Sequence, residues 1–231
     1  LVLFSGTQLG KDLAPRLAQR FDAGCVTDVT VIDKTDSGLE FVRPAYGGTI
    51  LERLFVSGPI RFATVRSGSF EKPEAAEGSV EEKDMPFAED ILKAKVLDTA
   101  KEITEAIDLE GADVIVTGGR GMGDAEGFKL VEELAALLGG VVGASRPAIE
   151  AGWASRAHQV GQSGKIVAPR LYIACGVSGA MQHVSGIMGS KYIVAINKDE
   201  AASIFDIADV GIVGDVKEIL PLLIEEIKKR K

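Results

Sequence analysis

The chain has 231 residues, 46% of them hydrophobic, which suits one large domain or two modest ones and excludes global disorder. A formal net charge of −8 argues against a nucleic-acid or anionic-membrane surface. No apolar stretch approaches bilayer-spanning length, no signal peptide is visible, and Cys25 and Cys175 lie far apart without partner histidines. Those two read as buried thiols in a reducing compartment.

The chain begins at Leu1, and Leu1 to Gly6 reads as a buried strand with no turn before it. It is therefore expected to start inside a domain. A helix follows from Asp12 to Phe21, with Asp12 as its N-cap. Four short segments come next: Val29–Ile32, Leu39–Val42, Thr49–Leu51 and Ile60–Val65. They are rich in β-branched and aromatic residues and are separated by glycine, proline and aspartate. That pattern predicts antiparallel strands joined by turns. Residues 71–86 are polar and acidic and contain Pro73 and Pro86, as a solvated linker would. Residues 71–110 hold thirteen acidic and five basic side chains, which equals the whole negative excess.

Leu92, Val96, Ala100, Ile103 and Ile107 recur at helical spacing, so a helix is expected over 88–107 with this stripe in a core. From Asp108 a regular alternation begins. Strands are predicted at Val114–Val116, Val141–Gly143, Leu171–Cys175, Ile193–Ile196 and Val210–Val213. Helices are predicted at Glu126–Leu138, Ala180–Met188 and Val216–Ile227. The last of these carries Val216, Ile219, Leu220, Leu223 and Ile227 on one face and four cations at its C-terminal end, where the helix dipole favours them. The expected fold class is α/β: a doubly wound parallel-sheet domain at 108–231, preceded by a partial α/β domain at 1–107 with β-hairpin strands.

Placed on this map, polar residues gather at the carboxyl edge of the second sheet, where open α/β folds bind ligands. Gly118 to Gly123 follows the first strand, Ser145 and Arg146 the second, Ser178 to His183 the third, Asn197 the fourth and Asp215 the fifth. Gly118–Gly123 departs from the dinucleotide fingerprint, because Asp124 stands where the last glycine belongs. It reads either as a tight strand-to-helix turn or as a phosphate loop in which Arg120 reaches a phosphate bidentately. Gly176-Val-Ser-Gly179 before a helix is a stronger anion cradle, with small residues admitting an oxyanion to backbone N–H groups.

His183, one turn on, faces that ligand or is a hydrogen-bonded core residue. Arg146 is a fixed cation or half of a salt bridge. Gln162 and Ser163 lie in a glycine-flanked loop, where Ser163 offers a hydroxyl or merely turns the chain. His158 reads as a surface or supporting residue and Trp153 as packing. Neither histidine has the spacing of a metal site.

The segment from Gly118 to Lys229 resembles the α subunit of electron transfer flavoproteins. The agreement is strongest at Leu171-Tyr-Ile-Ala-Cys-Gly-Val-Ser-Gly-Ala-Met-Gln-His183 and Ile193-Val-Ala-Ile-Asn-Lys-Asp199. Val160-Gly-Gln-Ser-Gly-Lys-Ile-Val-Ala-Pro169 and Gly143-Ala-Ser-Arg-Pro147 agree as well. The N-terminal part matches loosely, as the later portion of the family's first domain. The resemblance implies noncovalent FAD, lined by Arg120, Ser145, Arg146, Val160, Gly161, Gln162, Ser163, Ser178, Gly179, Ala180, Met181, Gln182, His183, Asn197, Asp215 and Val216. In the family the residue matching Ser163 bonds flavin N5, the one matching Arg146 lies by the isoalloxazine ring, and the one matching His183 sits near flavin O2.

It further implies a β subunit that carries AMP or, in bifurcating forms, a second FAD. Electrons would come from dehydrogenases such as the acyl-CoA dehydrogenases of fatty acid oxidation and pass to a quinone reductase or another acceptor. The compartment would be the prokaryotic cytoplasm or the mitochondrial matrix. Charge gained at flavin N1 and O2 on reduction would be stabilised by a nearby arginine and imidazole donor. Two rivals stay open: a nicotinamide- or thiamin-dependent enzyme domain, and a non-redox nucleotide-binding regulatory module. The broken glycine fingerprint and the lack of an acid–base pair count against the first.

Overall fold

A computed structural model of the chain describes residues 1–71, 74, 78–79, 81–84, 97 and 107–230. Leu1–Phe70 and Ile107–Lys231 form one compact unit, and Glu71–Ala106 forms another. In the second unit the described residues carry no helix or strand. The helix expected over 88–107 lies outside the described residues apart from Leu97 and Ile107, and the linker over 71–86 is described only in part.

The N-terminal segment folds as β1 (Val2–Ser5), α1 (Gln8–Arg20), β2 (Gly24–Val29), β3 (Val31–Thr35), β4 (Gly38–Ala45), β5 (Ile50–Phe55) and β6 (Arg61–Val65). Helix α1 starts four residues before the expected position, because the Thr7 hydroxyl accepts a hydrogen bond from the Gly10 N–H and caps it. Asp12 instead pairs with Arg16 one turn on. Strand β1 is not the buried strand expected. It pairs with β6 on one side, and Leu1, Val2 and Leu3 are exposed.

β3, β4 and β5 form the antiparallel meander the turn signals predicted, with cross-strand pairs such as Arg43 and Glu52 at 2.8 Å. β6 departs from that expectation. It runs parallel between β1 and β2, an arrangement that β-branched composition alone does not distinguish from a meander. The strand expected over Val29–Ile32 is also two strands. A register shift within β2, between Val26 and Val29 and containing Asp28 with φ +63°, lies just before the break, and Arg66 clamps the Asp28 carboxylate at 2.9 and 2.6 Å. Cys25 is half-buried, not buried as expected, on β2, an edge strand of its three-stranded sheet; Cys175 is fully buried.

The C-terminal segment contains β7 (Val114–Gly118), α2 (Ala125–Leu138), β8 (Val141–Ala144), α3 (Arg146–Glu150), β9 (Leu171–Cys175), α4 (Met181–Val184), β10 (Ile193–Asn197), β11 (Val210–Val213) and α5 (Val216–Arg230). All five strands are parallel, in the order β8–β7–β9–β10–β11. Val116, Ile173, Cys175 and Ile196 pack on one face against Phe128, Val131 and Leu134 of α2 and Val216, Leu220 and Ile224 of α5. Ile115, Tyr172, Ala174, Ile193 and Ala195 pack on the other face against Leu109, Val160, Val167, Ile187 and Ile204 from connecting segments. Burial on both faces explains the nearly continuous apolar strands.

Asp124 caps α2 by accepting from Gly127 N–H at 2.7 Å, and Gly139 ends it with φ +66°. The helix expected over Ala180–Met188 is a single turn, α4. Gly186 follows it, packed so closely on Gly161 that a Cβ would sit 2.5 Å from the Gly161 Cα. The chain order along the sheet reverses between β7 and β9, and at such a point a crevice opens at the strands' carboxyl ends.

Candidate functional site

A cleft of about 700 Å³ opens at that reversal, within the range of small-molecule and cofactor sites. Five connections deliver its lining. Arg120 and Gly121 come from the turn after β7, Ser145, Arg146 and Pro147 from the start of α3, and Gln159 to Ser163 from the following loop. Gly176, Val177, Ser178, Ala180, Gln182 and His183 come from the β9–α4 turn and α4, and Asn197, Asp199 and Ala201 to Ser203 from the end of β10 and the loop after it.

Twelve of the sixteen expected residues are therefore brought together. Gly179 lies beneath the lining with φ +85°, where a Cβ would meet Ile204 N at 2.1 Å. Met181 is exposed with its sulfur near Gly47. Asp215 accepts from Lys217 N–H at 2.8 Å and caps α5, while Val216 is buried in the core. Besides Gly121, Gly176 and Val177 from the two glycine turns already singled out, the lining takes in three parts that the sequence does not mark strongly: Pro147, Gln159 and the 199–203 segment. An Asn-x-Asp signal was present in the last: Asn197 Oδ1 accepts from Asp199 N–H and Asp199 Oδ1 from Ala201 N–H, both at 3.0 Å.

The glycine turn after β7 is structural in its backbone. Gly119 and Gly121 donate to the carbonyls of Cys175 and Gly176 at 2.8 and 2.9 Å, and Met122 and Gly123 donate within the turn. Those amides are spent, which leaves Arg120, by its side chain and its own N–H, as the turn's contribution. The β9–α4 turn differs. Among the described residues, the amides of Ser178 to Gln182 find no backbone carbonyl, as an anion cradle requires.

Among the described residues, two buried polar atoms at the cleft wall have no hydrogen-bond partner, Ser145 Oγ and His183 Nδ1. Buried polar groups are rarely left so, and an orphaned pair at one wall marks where a polar ligand belongs. His183 Nε2 lies 2.9 Å from the Tyr172 hydroxyl. Burial pushes the His183 pKa down to about 4, and the Val160 carbonyl, beside the ring but outside hydrogen-bond geometry, partly opposes this. The imidazole is therefore neutral at pH 7, so fixed positive charge at the cleft comes from Arg120 and Arg146.

Arg146 Nε donates to Glu150 one turn on at 2.8 Å. Ser163 Oγ accepts from Gln159 Nε2 at 2.9 Å and so keeps its own proton to give. Asn197 Nδ2 donates to the Val177 carbonyl at 2.8 Å and ties two lining segments together. His158 Nδ1 bonds the Val142 carbonyl at 2.8 Å, a supporting role, and Trp153 packs on the core.

Residues 1–90 match the electron transfer flavoprotein domain, and residues 108–188 the electron transfer flavoprotein FAD-binding domain. The electron transfer flavoprotein subunit alpha of Thermoanaerobacterium thermosaccharolyticum is 46% identical over 236 residues, covering 100% of this chain and 72% of the relative. This chain belongs to the electron transfer flavoprotein α subunit family. The Bacillus subtilis subunit alpha is 46% identical over 99% of this chain and 70% of its own length. The mitochondrial subunit alpha of Arabidopsis thaliana is 43% identical over 100% and 65%. As an electron transfer flavoprotein α subunit, the chain has a β subunit as partner. Among the described residues no helix is long and apolar enough to cross a membrane, and no group of three or more His, Cys, Asp or Glu is placed to hold a metal ion.

Proposed function

We propose that this chain carries the FAD of an electron transfer flavoprotein heterodimer in the cleft at the carboxyl edge of the five-stranded sheet. Residues 108–231 would be the FAD-binding domain and residues 1–107 a separate α/β domain. One observation carries the assignment of the site. The wall formed by the start of α3 and by α4 holds two buried polar atoms, Ser145 Oγ and His183 Nδ1, that have no partner among the described residues. The donor set fits the coenzyme: two arginines for anionic groups, free amides at a turn for a pyrophosphate, and hydroxyl and imidazole groups for ring heteroatoms.

Bound FAD supplies electron transfer in single steps, and the protein supplies binding, orientation and electrostatics. Arg120 and the Ser178–Gln182 amides would hold phosphate. Arg146 would face the ring system and attract the negative charge that arrives with an electron. Ser163, its oxygen already engaged by Gln159, would donate its proton to a ring nitrogen. His183, neutral, would give one hydrogen bond. Donors would be dehydrogenases, including those of fatty acid oxidation, and the acceptor a quinone reductase or another carrier. The β subunit would carry AMP or a second FAD.

The test is an absorbance spectrum of the chain purified with a β subunit, followed by denaturation and mass measurement of what is released. Flavin bands, with FAD recovered in proportion to this chain, are expected. A colourless complex, or one releasing only a redox-inert nucleotide, overturns the proposal.

A further inference from the structure

We propose that Tyr172 is a positioning residue for the cofactor cleft: its buried hydroxyl donates to His183 Nε2 and holds the imidazole as the tautomer that carries its proton on Nδ1. Its consequence for the cofactor rests on the FAD reading above; the tautomer itself does not.

Tyr172 is the second residue of β9 and is fully buried among Ile115, Ala174 and the other residues of that face of the sheet. Its hydroxyl lies 2.9 Å from His183 Nε2, with the two rings tilted at 57°. Burial raises the phenol pKa and lowers that of the imidazole, so at neutral pH each group is uncharged and each has one proton to place.

Two arrangements satisfy the short contact. In the first, the phenol donates to Nε2, and the imidazole proton sits on Nδ1. In the second, Nε2–H donates to the phenol oxygen, and the phenol proton must find another acceptor. Thr117 Oγ1 is the neighbouring candidate, but it lies outside hydrogen-bond geometry with the phenol, as with every other described group. The second arrangement also sets a bare Nδ1 lone pair beside the Val160 carbonyl, so that two acceptors confront each other. The first spends the phenol proton and places an N–H next to that carbonyl. That approach falls short of a hydrogen bond, so Nδ1–H still has its bond to make at the cleft wall, to an acceptor oxygen of the ligand. Tyr172 thus acts from beneath, through His183, and touches no ligand itself.

The chain has only two histidines, so a protein labelled with 15N-histidine gives two imidazole patterns in long-range 15N–1H correlation spectra. His158 is an internal reference, because its Nδ1 must donate to the Val142 carbonyl. The expected result is Nδ1–H for His183 at pH 7 in the wild type and loss of that state in Tyr172→Phe. Nε2–H in the wild type overturns the proposal, whether or not Tyr172→Phe folds, and so does an unchanged tautomer in a folded Tyr172→Phe.

A second arm uses the complex assembled with the β subunit. Tyr172→Phe is expected to retain FAD and to lower the first-electron reduction potential. An unchanged potential overturns the positioning role. A wild-type complex that holds no FAD would instead sink the proposed function, while the spectrum of the unloaded protein would still report the tautomer.

Discussion

Arg146 and Glu150 set opposite signs on one property. Arg146 is a fixed cation in the cleft lining, proposed above to face the ring system, and its Nε is held by Glu150 one helical turn away. Arg146→Ala should lower the first-electron potential while FAD stays bound. A charge-assisted hydrogen bond is worth on the order of 1.5–3 kcal/mol, and an exposed guanidinium belongs at the low end. Glu150→Gln frees the guanidinium of its counter-charge and should raise the potential. Spectroelectrochemical titration reads both, and shifts of the same sign in the two variants would refute the pairing.

His183 yields a prediction in pH. Its folded-state pKa of about 4 lies below its ordinary 6.5. The unfolded chain therefore binds the extra proton first on acidification. The stability this neutral imidazole contributes is fully present above about pH 6.5 and is lost as pH falls toward about 4. His183→Gln should remove up to about 2–3 kcal/mol of the stability difference between pH 7 and pH 4.5. Urea denaturation of both proteins at the two pH values checks this, and parallel losses would show that carboxylates alone govern the acid limb.

At the scale of elements, the cleft depends on backbone contact between two turns. Gly176 has φ +62°, and a Cβ there would sit 2.8 Å from the Gly121 Cα. Gly176→Ala meets both a left-handed backbone and a backbone clash, so a loss of roughly 2–3 kcal/mol or more is expected in denaturant unfolding, together with weaker FAD retention. Leu220→Ala on α5 should cost a comparable 2–5 kcal/mol by leaving a core cavity, yet keep FAD, because α5 packs on the face away from Tyr172.

The same two turns show what was legible. Apolar runs fixed the five parallel strands and α2 to within a residue or two, since burial on both faces leaves little else for such sequences to do. Short-range capping was harder, because Thr7 and Asp12 are both acceptable caps and only the fold chooses Thr7. The direction of β6 was illegible, because partner choice is a long-range property. In the cleft, side chains at strand ends stood out, whereas Gln159 and the 199–203 segment are placed by chain reversals that leave only weak local marks. The resemblance places Gly179, Asp215 and Val216 at the cofactor; in the fold Gly179 packs against Ile204, Asp215 caps α5 and Val216 is buried.

At the scale of the molecule, the β3–β5 meander and the cleft rim share an apolar surface. Tyr46 is 77% exposed, Leu51 65% and Met181 58%, and Gly47 and Gly48 between the first two lie against Met181 and Met188. Scattered exposed apolar residues are ordinary, but a contiguous cluster beside a binding cleft marks a partner surface. An α subunit has such a partner in its β subunit. The double variant Leu51→Glu, Met181→Glu adds two charges to this surface without touching the buried core. It should weaken heterodimer formation by about 1–3 kcal/mol, a factor of roughly five to a hundred and fifty, and leave the chain's own unfolding transition nearly unchanged. Sedimentation of the purified pair at micromolar concentration would show a free α population in the variant. If the variant complex sediments as tightly as the wild type, this patch lies outside the subunit interface, and the exposed methionines beside the cleft face solvent in the assembled protein.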